Sequence, residues 1–589
     1  MTRCEGRIIR AAGALVEAAP LRGVGLFEIV RVGPRKLLGE VIRLDGEVAT
    51  IQVFEDTAGL ALEDPVVATG APLEAELGPG LLGAVLDGTG RPLEQLARRE
   101  GAFIGAGTQA ATLDRERRWH FVATAKRGDR VEPGDVLGTV EERPALPHSI
   151  MAPPDCRGEI EWIETGDRTV DEAVCRLSSG RELSLLQRWP VRVPRPIAEW
   201  LPADRPFVTG QRVFDLLFPV AEGGAVAVPG GFGTGKTVIE QSLARFADAD
   251  IVVYVGCGER GNEMAEVLEE FPALVDPRTG RSLMDRTTLV VNTSNMPVAA
   301  REASVYLGLT IAEYYRDMGY RVALMADSLS RWAEALREIG SLLREMPGEE
   351  GYPTALSNRL GKLCERAGRV RAQGVPERTG AVTFISAISP PGGDFSEPVT
   401  QAALRAVGGL WALDAGLAHQ RQFPAVDWET SYSLQGEEVT PWLDREGGAG
   451  WGELRRQVFE LLQHDRELRE VAGLVGPDAL EDQDRLTLES AKLVRDLLIG
   501  QSAYDPNDAR SPLGKTHAIA ELIIRFQRRG MEVVASGRGF GSIDVARARR
   551  AITGIRALAD GGDPARREAA RDEVTRAAGV PIEGKARPV

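Results

Sequence analysis

A chain of 589 residues, 43% hydrophobic and 6% aromatic, is long enough for about three or four globular domains. Its net charge of −15 and pI near 5.2 argue against a nucleic-acid backbone as the main partner. No apolar run approaches the ~20 residues that cross a bilayer, so direct membrane insertion is not expected. The segment around Glu5 and Glu17 is short, Ala-rich and acidic, which is not the pattern of a secretion signal. Cys4, Cys156, Cys175, Cys257 and Cys364 are scattered without a CxxC pair, and the five histidines do not flank them. Neither structural zinc nor a disulfide framework is expected, and a reducing cytoplasm fits.

In chain order, residues 1–72 alternate short β-type runs with turns: Gly25–Val32, Leu38–Arg43 and Val48–Val53. Strands this short, regularly spaced and without helical periodicity, predict a small N-terminal β-barrel. A structural collar suits it better than an oligonucleotide-binding barrel, because few aromatics are available to stack bases. Residues 73–110 read as a connection into the core. Residues 111–190 form a β-rich inserted bulge module, in which Lys126–Val140 (KRGDRVEPGDVLGTV) places two Gly-Asp turns between β runs. That pattern is similar to biotinyl or lipoyl carrier domains, yet the next turn, Glu141–His148, has no lysine to modify. Swinging-arm chemistry is therefore not expected.

Residues 191–440 change to strand–helix alternation, the signal of a parallel α/β sheet. Within them lies GAVAVPGGFGTGKT (Gly224–Thr237), which reads as strand, glycine turn and helix start. Gly230 and Gly235 bracket Gly231, Phe232, Gly233 and Thr234, and Lys236 and Thr237 follow, the phosphate-binding P-loop spacing. Glycines let consecutive N–H groups approach phosphate oxygens, and a helix starting near Lys236 adds its positive end. Lys236 can reach the β- and γ-phosphates, and the Thr237 hydroxyl can ligate Mg²⁺. This is a nucleotide site.

A five-residue strand is predicted at Ile251–Val255, with Glu259 just past it, and another at Arg321–Ala326, closed by Asp327. Ligands of open α/β sheets gather at strand carboxyl ends. Asp327 suits a Walker-B carboxylate holding Mg²⁺ through water, although an aspartate capping the next helix has the same context. Glu259, beside Arg260, is a candidate for polarising a water in line with the γ-phosphate; alone, such a glutamate is a solvated loop charge. Leu329, Trp332, Leu336, Ile339, Leu343 and Met346 step by three and four, predicting one amphipathic helix. Residues 441–589 form a C-terminal helical bundle, with Leu454, Val458, Leu461 and Leu468 on one helix and Leu486, Leu493 and Leu497 on another. The last ~25 residues are charged and Ala/Gly-rich, and a frayed end is expected.

Almost the whole chain resembles the catalytic A-subunit family of V-type/A-type rotary ATPases. The resemblance rests on VGCGERGNEM (Val255–Met264), NTSNMPVAAREAS (Asn292–Ser304), ALMADSLSRWAEALREI (Ala323–Ile339), GEEGYP (Gly348–Pro353), SPPGGDFSEPVTQ (Ser389–Gln401) and PAVDWETSYS (Pro424–Ser433). It implies a P-loop (RecA-like) nucleotide-binding core that binds ATP/ADP and Mg²⁺. Lys236 and Thr237 take the family's P-loop positions, Glu259 that of its catalytic glutamate, Arg260 the adjoining phosphate-contacting arginine, and Asp327 the Walker-B aspartate. Phe423 and Tyr504 take the places of two aromatics that sandwich adenine, though an isolated aromatic is often core. The implied partners are B subunits in an alternating A₃B₃ hexamer, central-stalk and peripheral-stalk subunits and, indirectly, a membrane rotor. That puts the chain in the cytoplasm, peripheral on the cytoplasmic face of a membrane, coupling ATP hydrolysis or synthesis to ion transport. The arginine finger of this family is implied to come from the neighbouring B subunit.

Three positions depart from the family pattern. Gly231 stands where the family commonly has proline, Thr234 where vacuolar forms carry cysteine, and Leu329 where a threonine is usual. The segment QSAYDPNDARSPLGK also diverges after Tyr504, which bears on central-stalk contacts. None of these removes a group the reaction needs. Two other readings, a nucleotide-holding subunit without catalysis and an RNA-driven hexameric translocase, are opposed by Glu259 and by the acidic charge respectively.

Overall fold

The computed structural model describes residues 4–101, 104–144, 146–475 and 480–579, which form two compact units. The first contains residues up to 202 together with 223–227 and 249–407; the second contains 203–222, 228–248 and 408 onward.

In the first unit, six strands close into a barrel: β1 (Glu5–Ala12), β2 (Leu15–Ala19), β3 (Glu28–Val32), β4 (Leu37–Asp45), β5 (Val48–Val53) and β6 (Pro65–Pro72). Their order is β1-β2-β5-β4-β3-β6. Ile8, Val16, Val30, Val32, Val41, Ile51, Val53 and Val66 fill its interior without exposure, and closure leaves no unpaired strand edge. Beyond it, two four-stranded antiparallel sheets make the β-rich module, one built on Val136–Arg143 and the other on Gly158–Ile163. A buried relay joins this module to the helix Val298–Asp317. Glu142 Oε2 lies 2.6 Å from His148 Nδ1, and His148 Nε2 lies 2.8 Å from the Tyr314 hydroxyl. The other oxygen of Glu142 accepts the backbone N–H groups of Gly80 (2.7 Å) and Leu82 (3.0 Å).

The main sheet of this unit runs parallel through Val85–Asp87, Thr287–Thr293, Ile251–Glu259, Arg321–Asp327 and Thr379–Ile388. Ala225–Pro229 adjoins the last of these. Both faces of such a sheet are covered, so its strands are apolar almost throughout and buried. Val298–Asp317 lies close to it: a Cβ on Gly308 would stand 2.3 Å from Val255 Cγ2, a separation only glycine permits. The charges this helix buries are paired. Arg366 donates to Glu313 at 2.6 and 2.9 Å, Arg195 to Asp317 at 2.7 Å, and Arg192 bridges Glu302 (2.7 Å) and Glu40 of the barrel (2.9 Å). Each pair offsets a desolvation cost that one partner alone could not.

In the second unit, Phe214 of the short helix Arg212–Leu217 stacks on Trp411 at 4.0 Å and 16°. The helical part contains Gly436–Glu446, Trp451–Val475, Asp482–Leu493, Leu513–Ala535, Val545–Arg556 and Pro564–Ala577. Trp451, Val458, Leu462, Ile519, Ile523, Phe526 and Ile552 are fully buried among them. Arg212 is buried with Asp508, Nη1 to Oδ1 2.6 Å, and Arg556 Nη2 reaches the other oxygen at 2.6 Å. Burial pushes the Asp508 carboxyl up, but the hydrogen bonds from Arg556 and Arg212 outweigh it and hold it at about 2. Its ordinary value is 3.8, so the stability it contributes is complete above roughly pH 4 and lost as pH falls through about 2. Asp508→Asn is therefore expected to be less stable than the parent at pH 7, with the deficit shrinking between about pH 4 and 2 in thermal melts.

Several sequence expectations are corrected. The strand expected to stop at Val255 runs to Glu259, because Gly256, Cys257 and Glu259 stay paired to the neighbouring strand and Gly256, Cys257 and Gly258 are buried. The helix expected to include Leu343 and Met346 ends at Leu342; Arg344 turns left-handed (φ 57°) and Met346 is exposed. Leu497 lies not on the Asp482–Leu493 helix but in a wider π-type stretch, Val494–Ile499, that follows it. Most of the expected frayed end is the helix Pro564–Ala577, whose Val574 and Ala577 are fully buried; residues 580–589 lie outside the described residues. Among the described residues, no helix is long and apolar enough to cross a membrane.

Candidate nucleotide site

The P-loop belongs to the second unit. Gly233 (φ 76°) and Gly235 (φ 88°) both take left-handed backbone, and Gly235 is the N-cap of the helix Lys236–Phe246. No side chain caps this helix start, so its dipole end faces the loop. A Cβ on Gly230 would fall 2.6 Å from Thr234 Oγ1 and 2.9 Å from Leu413 Cβ, so the loop closes only around a glycine. Thr234 is 1% exposed and donates to the Gly231 carbonyl at 2.8 Å. The residue in the vacuolar cysteine position is thus a buried loop tie. Lys236 Nζ donates to the carbonyls of Gly230 (2.5 Å) and Gly231 (3.1 Å), which holds the ammonium over the loop. A Cβ on Gly231 would meet nothing within 4 Å. Thr237 is exposed on the first turn, and Phe232 projects with 86% of its surface exposed.

Phe423 lies against the same helix start: a Cβ on Gly235 would be 3.7 Å from its ring. It is 46% exposed, which is inconsistent with a core position. Its carbonyl accepts the Gln501 N–H at 2.9 Å, which ties it to the segment carrying Tyr504. Tyr504 is 89% exposed.

In the first unit, Glu259 ends its strand and Asp327 ends the neighbouring parallel strand, where Gly256 pairs with Asp327. Gly258, at φ 73°, sits in a register irregularity between Cys257 and Glu259 that redirects the glutamate. Arg301 and Arg331 crowd this glycine; a Cβ there would lie 2.7 Å from Arg331 Cβ and 2.8 Å from Arg301 Cδ. Burial pushes the Glu259 carboxyl up to about 8, and the charge of Asp327 and the neighbouring Glu263 add to it. Asp327 is buried and accepts the Tyr254 hydroxyl at 3.2 Å. The helix after it is capped at Ser328 without a side-chain bond, so capping is not what holds Asp327. Arg260 is largely exposed, 3.9 Å from Glu263.

Tyr254, Arg301 and Arg331 were not singled out from the sequence, whereas Ser328, which could share the helix cap with Asp327, is the N-cap. Tyr254 sits within an apolar run that reads as plain strand, and the two arginines stand on helices where a charge reads as solvated. NTSNMPVAAREAS contains Arg301 and ALMADSLSRWAEALREI contains Ser328 and Arg331, and these two stretches were the available signal.

A glycine loop running from the strand Ala225–Pro229 into the helix Lys236–Phe246 defines the class, a P-loop nucleotide-binding core. Four family models match in sequence: the ATP synthase alpha/beta family β-barrel domain over residues 8–70, the barrel-sandwich domain over 110–192, the nucleotide-binding domain over 210–433, and the C-terminal domain of V and A type ATP synthase over 441–536. The V-type ATP synthase alpha chain of Anaeromyxobacter sp. (strain K) is 57% identical over 538 residues, 91% of this chain and 93% of that one. An A-type ATP synthase relative from Methanospirillum hungatei JF-1 is 53% identical over 519 residues, 88% and 89% of the two chains. The assembled ATPase EscN of the enteropathogenic E. coli type III secretion system has TM-score 0.63 and 23% identity, covering 88% of this chain and 100% of that one, a likeness of fold alone. The chain belongs to the ATP synthase alpha/beta family, in its V-type and A-type branch.

Proposed function

We propose that this chain is the catalytic nucleotide-binding subunit of a V/A-type rotary ATPase, coupling ATP hydrolysis or synthesis to ion transport, with protons the expected ion. The observation that carries the catalytic part is the placement of Glu259: a carboxyl at the end of its strand, next to the parallel strand that ends at Asp327. A carboxylate in such a place can orient and deprotonate water. B subunits in an alternating A₃B₃ hexamer, the two stalks and a membrane rotor would be its partners, placing it peripherally on a cytoplasmic membrane face. In single-turnover assays of the chain assembled with its B partner, Mg-ATP hydrolysis is expected to be indifferent to RNA. Hydrolysis that depends on RNA would return the chain to the translocase class.

The residue roles follow the same reading. Gly230, Gly231, Phe232, Gly233, Thr234 and Gly235 cradle the phosphates, and Lys236 neutralises them. Thr237 and Asp327 supply the hard oxygen donors that Mg²⁺ takes, Asp327 through water. When bound, Mg²⁺ neutralises phosphate charge. Arg260 contacts phosphate, and Phe423 and Tyr504 stack on adenine. Both aromatics have the exposure a stacking surface requires. Phe423→Ala is expected to weaken ATP binding by about 1–3 kcal/mol; an unchanged Kd in a folded variant would remove Phe423 from the site.

A further inference from the structure

The turn that carries Tyr504 is held by a set of buried polar side chains that the reaction does not use. Gln501 is 5% exposed; its Oε1 accepts the Arg212 N–H at 2.8 Å, and its Nε2 donates to the carbonyls of Gly210 (2.9 Å) and Ala509 (3.3 Å). Its own N–H holds Phe423, as described. Arg212, fully buried, donates from Nε to the Leu498 carbonyl (3.1 Å), from Nη2 to the Gly500 carbonyl (2.7 Å) and from Nη1 to Asp508 (2.6 Å). Asp508 in turn accepts the Ser502 N–H at 2.7 Å, closing a turn in which Asp505 accepts the Asp508 N–H at 2.9 Å. Tyr504 stands at the tip of that turn, between two residues locked to the same pair.

We propose that the buried Arg212–Asp508 pair, together with Gln501, is a positioning device for the base clamp, fixing the Tyr504 turn relative to Phe423. The inference rests on the reading of Phe423 and Tyr504 as base-stacking residues. Arg212 suits the task because a planar guanidinium engages two backbone carbonyls and a carboxylate at once, in directions that lysine could not reproduce. Stacking is effective only where the ring plane is fixed before the base arrives; a loose Tyr504 would lose much of its benefit to ordering. Arg212 and Asp508 are both buried out of a ligand's reach and act on the Tyr504 turn alone, so the effect is confined to ligands that carry a base.

That confinement gives the test. Binding of Mg-ATP and of magnesium tripolyphosphate, which has no base, is measured on the full chain. Asp508→Asn removes the charge that anchors Arg212, and about tenfold weaker ATP binding is expected, with tripolyphosphate within about twofold of the parent. Arg556→Gln trims a partly exposed second donor to Asp508 and leaves the buried pair intact; it is expected to shift ATP in the same direction by less, and it carries the test should Asp508→Asn not fold. Tyr504→Ala, run alongside, tests the underlying reading. If Tyr504→Ala weakens both ligands equally or neither, the base clamp itself is wrong and the inference falls with it. If Tyr504→Ala is selective for ATP while Asp508→Asn and Arg556→Gln weaken both ligands equally or leave ATP unchanged, the pair serves stability alone and only the inference is overturned.

Discussion

The purified chain alone is expected to bind Mg-ATP and to hydrolyse it very slowly. On the proposed reading the arginine finger comes from the neighbouring B subunit, and such a finger is worth about 10³–10⁵ in turnover in well-studied systems. The chain does not lack arginines near its own candidate carboxylates; Arg301 and Arg331 flank Gly258. Both have structural engagements, Arg301 with the Ser294 carbonyl (3.1 Å) and Glu338 (3.5 Å), Arg331 with Glu334 (2.8 Å). Neither is poised as a mobile donor, so addition of the B partner is expected to raise kcat by orders of magnitude. Full turnover by the lone chain would assign the finger to one of these two residues instead.

The parts of this molecule that were legible in the sequence are those where local chemistry dictates local structure. The P-loop needs glycine at Gly233 and Gly235 because both take left-handed backbone, and no tertiary context is required to see that. The barrel was legible because the runs at Gly25–Val32, Leu38–Arg43 and Val48–Val53 are short and β-type, regularly separated by turns and without a helical period. Glu259 was misplaced by a few residues for a physical reason. Gly256 and Gly258 look like a loop, yet one permits the close approach of Met264 and the other forms the kink that aims the glutamate. The Val298–Asp317 helix hid its role entirely, since Arg301, Glu302, Glu313 and Arg316 suggest a solvated face, whereas all four are buried in ion pairs or backbone bonds. Arg212 and Asp508 stand 296 positions apart, and nothing local to either announces the other.

Glu259→Gln is expected to separate catalysis from binding. The substitution keeps the size of the side chain and most of its hydrogen bonding, but an amide cannot accept a proton or carry the charge. Losing a positioned general base costs about 10²–10⁴ in rate. Nucleotide affinity is expected to stay near normal or rise slightly, because a negative charge that would face phosphate is gone. Lys236→Ala is expected to damage both functions, as it deletes the cation held over the Gly230 and Gly231 carbonyls. Fluorescent-nucleotide binding and steady-state hydrolysis, measured on the assembled head, read the two effects separately. Hydrolysis by Glu259→Gln within a few-fold of the parent, or a loss of binding as large as that of Lys236→Ala, would leave Glu259 as a structural charge at the end of its strand.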